Sequence, residues 1–107
     1  MIIVMGAGGR DFHDFATVLR DDPEVEVVAF TAAQIPGIDH RVFPAAMAGP
    51  RYPKGIAIWP EGDLGRLIRD ERVDDVVLSY SDLSHSEVMH KASLVLACGA
   101  DFRIVAS

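Results

Sequence analysis

The chain has 107 residues, of which half are apolar, and a formal net charge of −6. This length fits one small domain, and the apolar content is enough for one core and excludes a disordered chain. The acidic balance and the absence of a Lys/Arg cluster exclude nucleic acid as an expected partner. No apolar run is long enough to span a membrane, so a membrane is not an expected partner either. We expect a cytoplasmic location.

Strands and helices alternate along the chain. Short β-branched or apolar runs predict strands over residues 2–5, 25–30, 56–59, 73–80 and 102–105, whereas helical spacing predicts helices over residues 11–20, 61–71 and 84–98. Ser84 and Glu87 form a capping-box pattern, and Gly99 stands where a left-handed helix cap belongs. This order predicts an α/β fold, a Rossmann-like doubly wound parallel sheet in three α/β/α layers, as a single domain over residues 1–107.

Ligands of such sheets bind beyond the carboxyl ends of the strands, so the loops over residues 6–11, 31–55 and 81–85 are the candidate binding segments. The first loop contains three glycines whose N–H groups can approach an anion. Asp11 stands where a dinucleotide fingerprint needs glycine, and Thr31 stands where it needs an acid, so a dinucleotide is disfavoured. Two interpretations stay open: phosphate binding aided by Arg10 and His13, or a turn in which Asp11 caps the following helix.

The second loop is long and rich in proline, and Pro44 starts a segment predicted to form one helical turn. Long loops in compact domains tend to be functional. One interpretation is a lid that directs Arg41, Arg51 and Lys54 toward an anion. The other is an apolar surface that packs on another domain or subunit.

The third loop brings serine, aspartate and histidine together after a strand. A hydrolase triad is not supported, because no glycine-flanked nucleophile elbow is present. His85 and His90 are five residues apart and do not share a helix face as metal ligands would, so no metal site is expected. Lys91 is expected to be a solvated side chain. The alternative is that it reaches a phosphate from a facing domain.

Four segments together resemble one known family. They are MGAGGRDFHDF at residues 5–15, VAFTAAQIPGI at 28–38, AGPRYPKGI at 48–56 and YSDLSHSEVMHKAS at 80–93. They are similar to the N-terminal domain of the cyclic 2,3-diphosphoglycerate synthetases and of their relatives described as GTPases. The likeness runs from Met1 to Arg103. The family's second domain, which carries the nucleotide-binding phosphate loop, would begin after Ser107, so the resemblance implies that ATP and Mg²⁺ bind there.

The resemblance implies an ATP-dependent, ligase-like reaction that closes an intramolecular phosphoanhydride. This domain would hold the small anionic phosphorylated substrate and would be inactive alone. The expected binding residues are Gly6, Gly8, Gly9, Arg10, Asp11, His13, Thr31, Tyr80, Ser81, Asp82 and His85. Two other hypotheses remain: a stand-alone module that binds a nucleotide or coenzyme A, and a domain that forms a homodimer. The sequence assigns no acid–base role to His13, His40, His85 or His90.

Overall fold

The computed structural model describes residues 1–6, 15, 19–32, 41–79 and 84–105. These residues form one sheet with six strands: β1 (Ile2–Met5), β2 (Val27–Ala32), β3 (Arg41–Phe43), β4 (Ile56–Pro60), β5 (Asp75–Ser79) and β6 (Asp101–Val105). The strand order is β3-β4-β2-β1-β5-β6. All neighbouring pairs are parallel except β3 with β4. The predicted Rossmann-like doubly wound fold is therefore confirmed.

Three α-helices belong to the described part of the chain: α1 (Ala45–Ala48), α2 (Leu64–Asp70), which follows a 3₁₀ turn at Glu61–Asp63, and α3 (His85–Ala97). Ser84 is the N-cap of α3, as the predicted capping box requires, because the Glu87 N–H donates to Ser84 Oγ at 3.2 Å. Gly99 has φ +94°, as expected for the residue that ends this helix. The helix predicted over residues 11–20 lies outside the described residues except for Phe15, Leu19 and Arg20.

Both faces of the sheet are covered, which explains why the strands read as continuous apolar runs. On one face, Phe15 packs edge-on against the rings of Phe30, Phe43 and Tyr52 at centroid distances of 5.4–5.7 Å. On the other face, α2 and α3 cover a second core that includes Leu64 and Val95, among other residues. We call this second side the α2/α3 face.

A β-bulge near the start of β2 decides which of its side chains reach each face. Ile2 pairs with Val27, but Ile3 pairs with Ala29, so Val28 is an extra residue in the ladder. Val27 belongs to the aromatic core, whereas Val28 and Ala29 both pack toward the α2/α3 face. By alternation after the bulge, Thr31 follows Ala29 onto the α2/α3 face.

The described part of the proline-rich segment, residues 41–55, is more regular than the sequence predicts. It contains β3 as an antiparallel edge strand, which the short sequence Arg41–Phe43 does not signal, and the helical turn predicted after Pro44 is confirmed as α1. Phe43 and Tyr52 are buried in the aromatic core, whereas Val42 and Met47 are about half exposed. The apolar side chains of this segment are thus divided between the core of the domain and its surface.

Candidate functional site

The direction of chain progression through the sheet reverses between β1 and β5. From β1 the chain goes to β2 and β4 on one side, and then returns to place β5 and β6 on the other side of β1. At such a switch point the loops that follow the two central strands diverge and leave a crevice at the carboxyl edge. Met5 and Ser79, the last residues of these two strands, therefore lie on either side of the expected ligand position.

Gly6 is the described residue that opens the glycine loop. Its φ is +89°, and no described atom lies within 4 Å of the position that a Cβ would occupy. Its N–H donates to the Thr31 carbonyl oxygen at 2.6 Å, which joins the ends of β1 and β2. This position requires glycine, since this φ is unfavourable for other residues.

Thr31 is the fully buried polar residue among those described, with 0% exposure. Its Oγ1 has no hydrogen-bond partner in the described part of the chain. A buried hydroxyl without a partner costs free energy, so a group that completes its hydrogen bonding is expected when such a residue lies beside a ligand crevice.

Thr31 belongs to the last side-chain row of the sheet on the α2/α3 face. It pairs with Trp59 of β4 and with Met5 of β1, which in turn pairs with Leu78 of β5. Trp59 also contacts the Arg66 guanidinium of α2 at 5.5 Å from its ring centroid. The hydroxyl is thus the polar member of an otherwise apolar row at the carboxyl edge.

The first two turns of α3 lie beyond this row because α3 follows β5. His85 is the first residue of the helix and is exposed. Besides accepting the Glu87 N–H, Ser84 donates its hydroxyl to the Glu87 carboxylate at 3.0 Å. Ser84 is a helix cap, as expected, and His85 is exposed at the helix start.

Lys91 differs from the solvated side chain expected from the sequence. Its Nζ lies 2.6 Å from Glu61 Oε1, and the two side chains are 15% and 27% exposed. Glu61 comes directly after the carboxyl end of β4, so this ion pair ties α3 to that end of the sheet. The expectation of a solvated Lys91 is wrong, because a carboxylate from a distant segment shields it from water.

An open surface pocket of about 230 Å³ lies beside Lys91. The described residues that line it are Ser86, Glu87, His90 and Lys91, all on one side of the first half of α3. The sequence analysis did not predict this pocket. The available signal was the spacing of Glu87 and Lys91, which places an acid and a base one helical turn apart.

Arg51 does not act as the anion-binding lid residue that one interpretation of the proline-rich loop predicts. Its Nη1 donates to the carbonyl oxygens of Asp22 and Val25, and its Nη2 to that of Pro23 at 3.4 Å. These carbonyls precede β2 and lie at the amino edge of the sheet. Lys54 lies two residues before β4 begins at Ile56, at the same edge. The lid interpretation placed both beside the ligand, but the loop that begins at the carboxyl edge must reach the amino edge to start the next parallel strand.

Eight of the predicted binding residues lie outside the described part of the chain. They are Gly8, Gly9, Arg10, Asp11, His13, Tyr80, Ser81 and Asp82. Of the other three, Gly6 and Thr31 are joined by a hydrogen bond, and His85 lies at the start of α3. No group of three potential metal ligands occurs within residues 1–6, 15, 19–32, 41–79 and 84–105. Over the same ranges, no helix is both long enough and apolar enough to cross a membrane.

Comparison with known proteins connects the chain to a synthetase. Arginine synthetase ArcE of Thermococcus kodakarensis is 52% identical over 101 residues, which cover 94% of this chain and 22% of that protein. The chain therefore spans less than a quarter of the length of this relative. The name is that of a synthetase, in agreement with the ligase-like resemblance, but it names arginine and not cyclic 2,3-diphosphoglycerate. No protein-family model matches the sequence.

A solved structure supports the fold. UDP-D-quinovosamine 4-dehydrogenase from Vibrio fischeri superimposes with a TM-score of 0.74, covering 99% of this chain and 77% of that one at 19% sequence identity. At this identity the likeness concerns the fold alone. The chain is thus a Rossmann-like domain that is similar in sequence to part of a synthetase.

Proposed function

We propose that this chain is the substrate-binding domain of a larger ATP-dependent synthetase and holds the anionic, phosphorylated group of a small molecule at the switch point between β1 and β5. The observation that carries the proposal is the 52% identity to arginine synthetase ArcE over 94% of the chain. At that level of identity both the fold and its binding edge are expected to be shared.

The geometry of the carboxyl edge supports an anion there. Gly6 adopts a positive φ at the end of β1, and the next residues include Gly8, Gly9 and Arg10. Backbone N–H groups in such glycine-rich turns coordinate phosphate oxygens. Thr31 supplies a buried hydroxyl without a partner among the described residues, in direct backbone contact with Gly6.

The chemistry of bond formation belongs to another part of the longer protein. The 107 residues contain no Gly-x-x-x-x-Gly-Lys-Ser/Thr phosphate loop. ATP and Mg²⁺ are therefore proposed to bind outside this domain, and this domain's part is to fix and orient the group that becomes activated. Alone, the chain is proposed to bind substrate without turning it over.

Titration of the ¹⁵N-labelled chain tests the proposal by amide chemical shifts. We expect inorganic phosphate and 2,3-diphosphoglycerate to move the amides of residues 6–10 and of Thr31, and to leave the amides of Arg51 and Lys54 at the opposite edge unchanged. Arg10→Ala is expected to weaken this binding, whereas the matched control Lys54→Ala binds as the parent does.

Two results would overturn the proposal. If neither phosphate ligand moves residues 6–10 or Thr31, the switch point does not bind such a group in this chain. If ATP or coenzyme A alone binds there, the chain is the stand-alone nucleotide-type module that the fold also permits.

A further inference from the structure

The outer side of β6 carries exposed apolar side chains. β6 is the last strand in the order of the described sheet, so one side of its backbone pairs with no described strand. Phe102 packs toward the α2/α3 face, and Ile104 lies on the same face by alternation and is 49% exposed. On α3, Met89 and Leu96 are 54% and 58% exposed. We call Met89, Leu96, Phe102 and Ile104 the β6 patch.

Helix geometry places the two α3 members of the patch beside β6. Val95 is fully buried against the sheet, and Cys98 lies toward α2, because its Sγ is 3.2 Å from the position of a Cβ on Gly65. With about 3.6 residues per turn, Met89 and Leu96 fall on the flank of α3 opposite to Cys98. That flank faces the free edge of the sheet, so the four apolar side chains share one surface.

The two outer strands of the described sheet differ in their capacity to pair with another strand. β3 has three residues, a length that limits further pairing, whereas β6 has five. Contiguous exposed apolar side chains beside an open strand edge are typical of an interaction surface in which a strand is added to the sheet.

The charges on the other face of β6 specify the partner. Asp101 and Arg103 lie on the face opposite to Phe102, and both are exposed. Antiparallel pairing with β6 of a second copy, with Phe102 opposite Phe102, places each Asp101 opposite Arg103 of the other copy. Centring the pair on Asp101 or on Arg103 instead would place two like charges directly opposite each other. β6 is therefore complementary in charge to itself in one register.

Arg103 can bind a second carboxylate in this arrangement. Its guanidinium is 64% exposed, and its Nη2 donates to Asp75 Oδ2 at 2.9 Å. A guanidinium has several further N–H donors in a planar fork, so the bond to Asp75 and a bond to Asp101 of a second copy are compatible.

The same arrangement brings the two α3 helices together. α3 connects β5 to β6 and packs on this end of the sheet. Across a shared pair of β6 strands, the two helix axes lie about two strand spacings apart, roughly 10 Å. Helices pack against each other at about 8–10 Å. Met89 and Leu96 of each copy then face the same residues of the other copy, as a two-fold axis requires.

We infer that the β6 patch is a homodimer interface in which two copies of the chain join edge to edge through antiparallel β6 strands. Asp101 and Arg103 form two symmetric ion pairs on one face of the joined sheet, and the apolar patch residues pack on the other. The interface does not involve the switch point between β1 and β5, so the inference is independent of the proposed function.

Sedimentation equilibrium of the chain, from micromolar to submillimolar concentration, measures this dimer. The parent is expected to be dimeric, and Asp101→Arg to raise the dimer dissociation constant at least about 100-fold, because two ion pairs become two like-charge contacts. Adding Arg103→Asp to Asp101→Arg restores opposite charges across the axis and is expected to restore the dimer. The arginine introduced at position 101 lies opposite Asp75 in the ladder, so the monomer of this double variant keeps an ion pair there.

A second pair of variants tests the apolar half of the interface. Ile104→Gln is expected to raise the dissociation constant about 10-fold, because each copy loses a buried apolar contact. Val42→Gln, at a valine of similar exposure on β3, is the matched control and is expected to dimerise as the parent does. Thermal denaturation shows whether each variant is folded.

Three results would overturn the inference. A parent that stays monomeric over the whole concentration range has no such interface, and the patch then serves contact with another part of the longer protein. A dimer that is lost in Val42→Gln but persists in Ile104→Gln joins through β3. Failure of the double charge variant to restore a dimer that Asp101→Arg abolishes would refute the register centred on Phe102.

Discussion

Polar groups at the two edges of the sheet differ in how far the chain itself satisfies their hydrogen bonds. At the amino edge, Arg51 binds the carbonyls that precede β2, and the Tyr52 hydroxyl accepts the Val27 N–H at 3.0 Å. At the carboxyl edge, the Thr31 hydroxyl has no partner among the described residues, and an open surface pocket lies beside α3. Bonds made within the chain stabilise one edge, whereas the other keeps capacity for a ligand, as is usual in parallel α/β sheets.

The largest expected difference in stability between the two edges concerns two glycines with positive φ. A Cβ at Gly55, at the amino edge, would collide with the Phe43 carbonyl oxygen, whereas a Cβ at Gly6 meets no described atom within 4 Å. Gly55→Ala is therefore expected to lower the free energy of unfolding by about 3 kcal/mol or more, from backbone strain and collision together. Gly6→Ala should cost only about 1 kcal/mol, from strain alone. Urea denaturation of both variants measures this, and equal losses would contradict the comparison.

Arg51→Met should produce an intermediate effect on stability. Three carbonyl oxygens lose their donor, but they are at an exposed edge where water can replace it, so we expect a loss of about 1 kcal/mol. Lys54→Met, three residues away and without a side-chain hydrogen bond to the described residues, is the control and should leave the melting temperature unchanged. Weakened phosphate binding by Arg51→Met would contradict its assignment to the amino edge.

Thr31→Val should have the smallest effect on stability and a clear effect on binding. Valine has nearly the same shape and removes a buried hydroxyl that lacks a partner, so the free energy of unfolding should stay unchanged or rise by up to about 1 kcal/mol. Phosphate binding at the switch point should weaken if the hydroxyl serves the ligand. A marked loss of stability, measured by thermal denaturation, would instead mean that the hydroxyl has a structural role.

Local sequence signals were enough for five of the six strands and for the ends of α3, but not for the edge strand β3. The apolar runs that begin at Ile2 and Ile56 are strands, and Ser84, Glu87 and Gly99 cap the helix as their side chains and conformational freedom predict. These signals are local: apolar alternation, a hydroxyl acceptor at a helix start, and a residue that tolerates positive φ. The start of β2 was predicted two residues early, because the segment before Val27 is held in a turn by Arg51, which is distant in sequence.

The sequence by itself determined the fold class, because alternating strands and helices with continuous apolar strands leave few other arrangements. Only the tertiary structure decided where polar side chains lie. The bulge at Val28 moves Thr31 from the aromatic side of the sheet, where strict alternation from Val27 would place it, to the α2/α3 face. The ion pair of Lys91 with Glu61 joins residues 30 positions apart, which no periodicity specifies. The arrangement of polar side chains at the carboxyl edge therefore depends on strand register and long-range packing. The order of strands and helices, in contrast, follows from local sequence pattern.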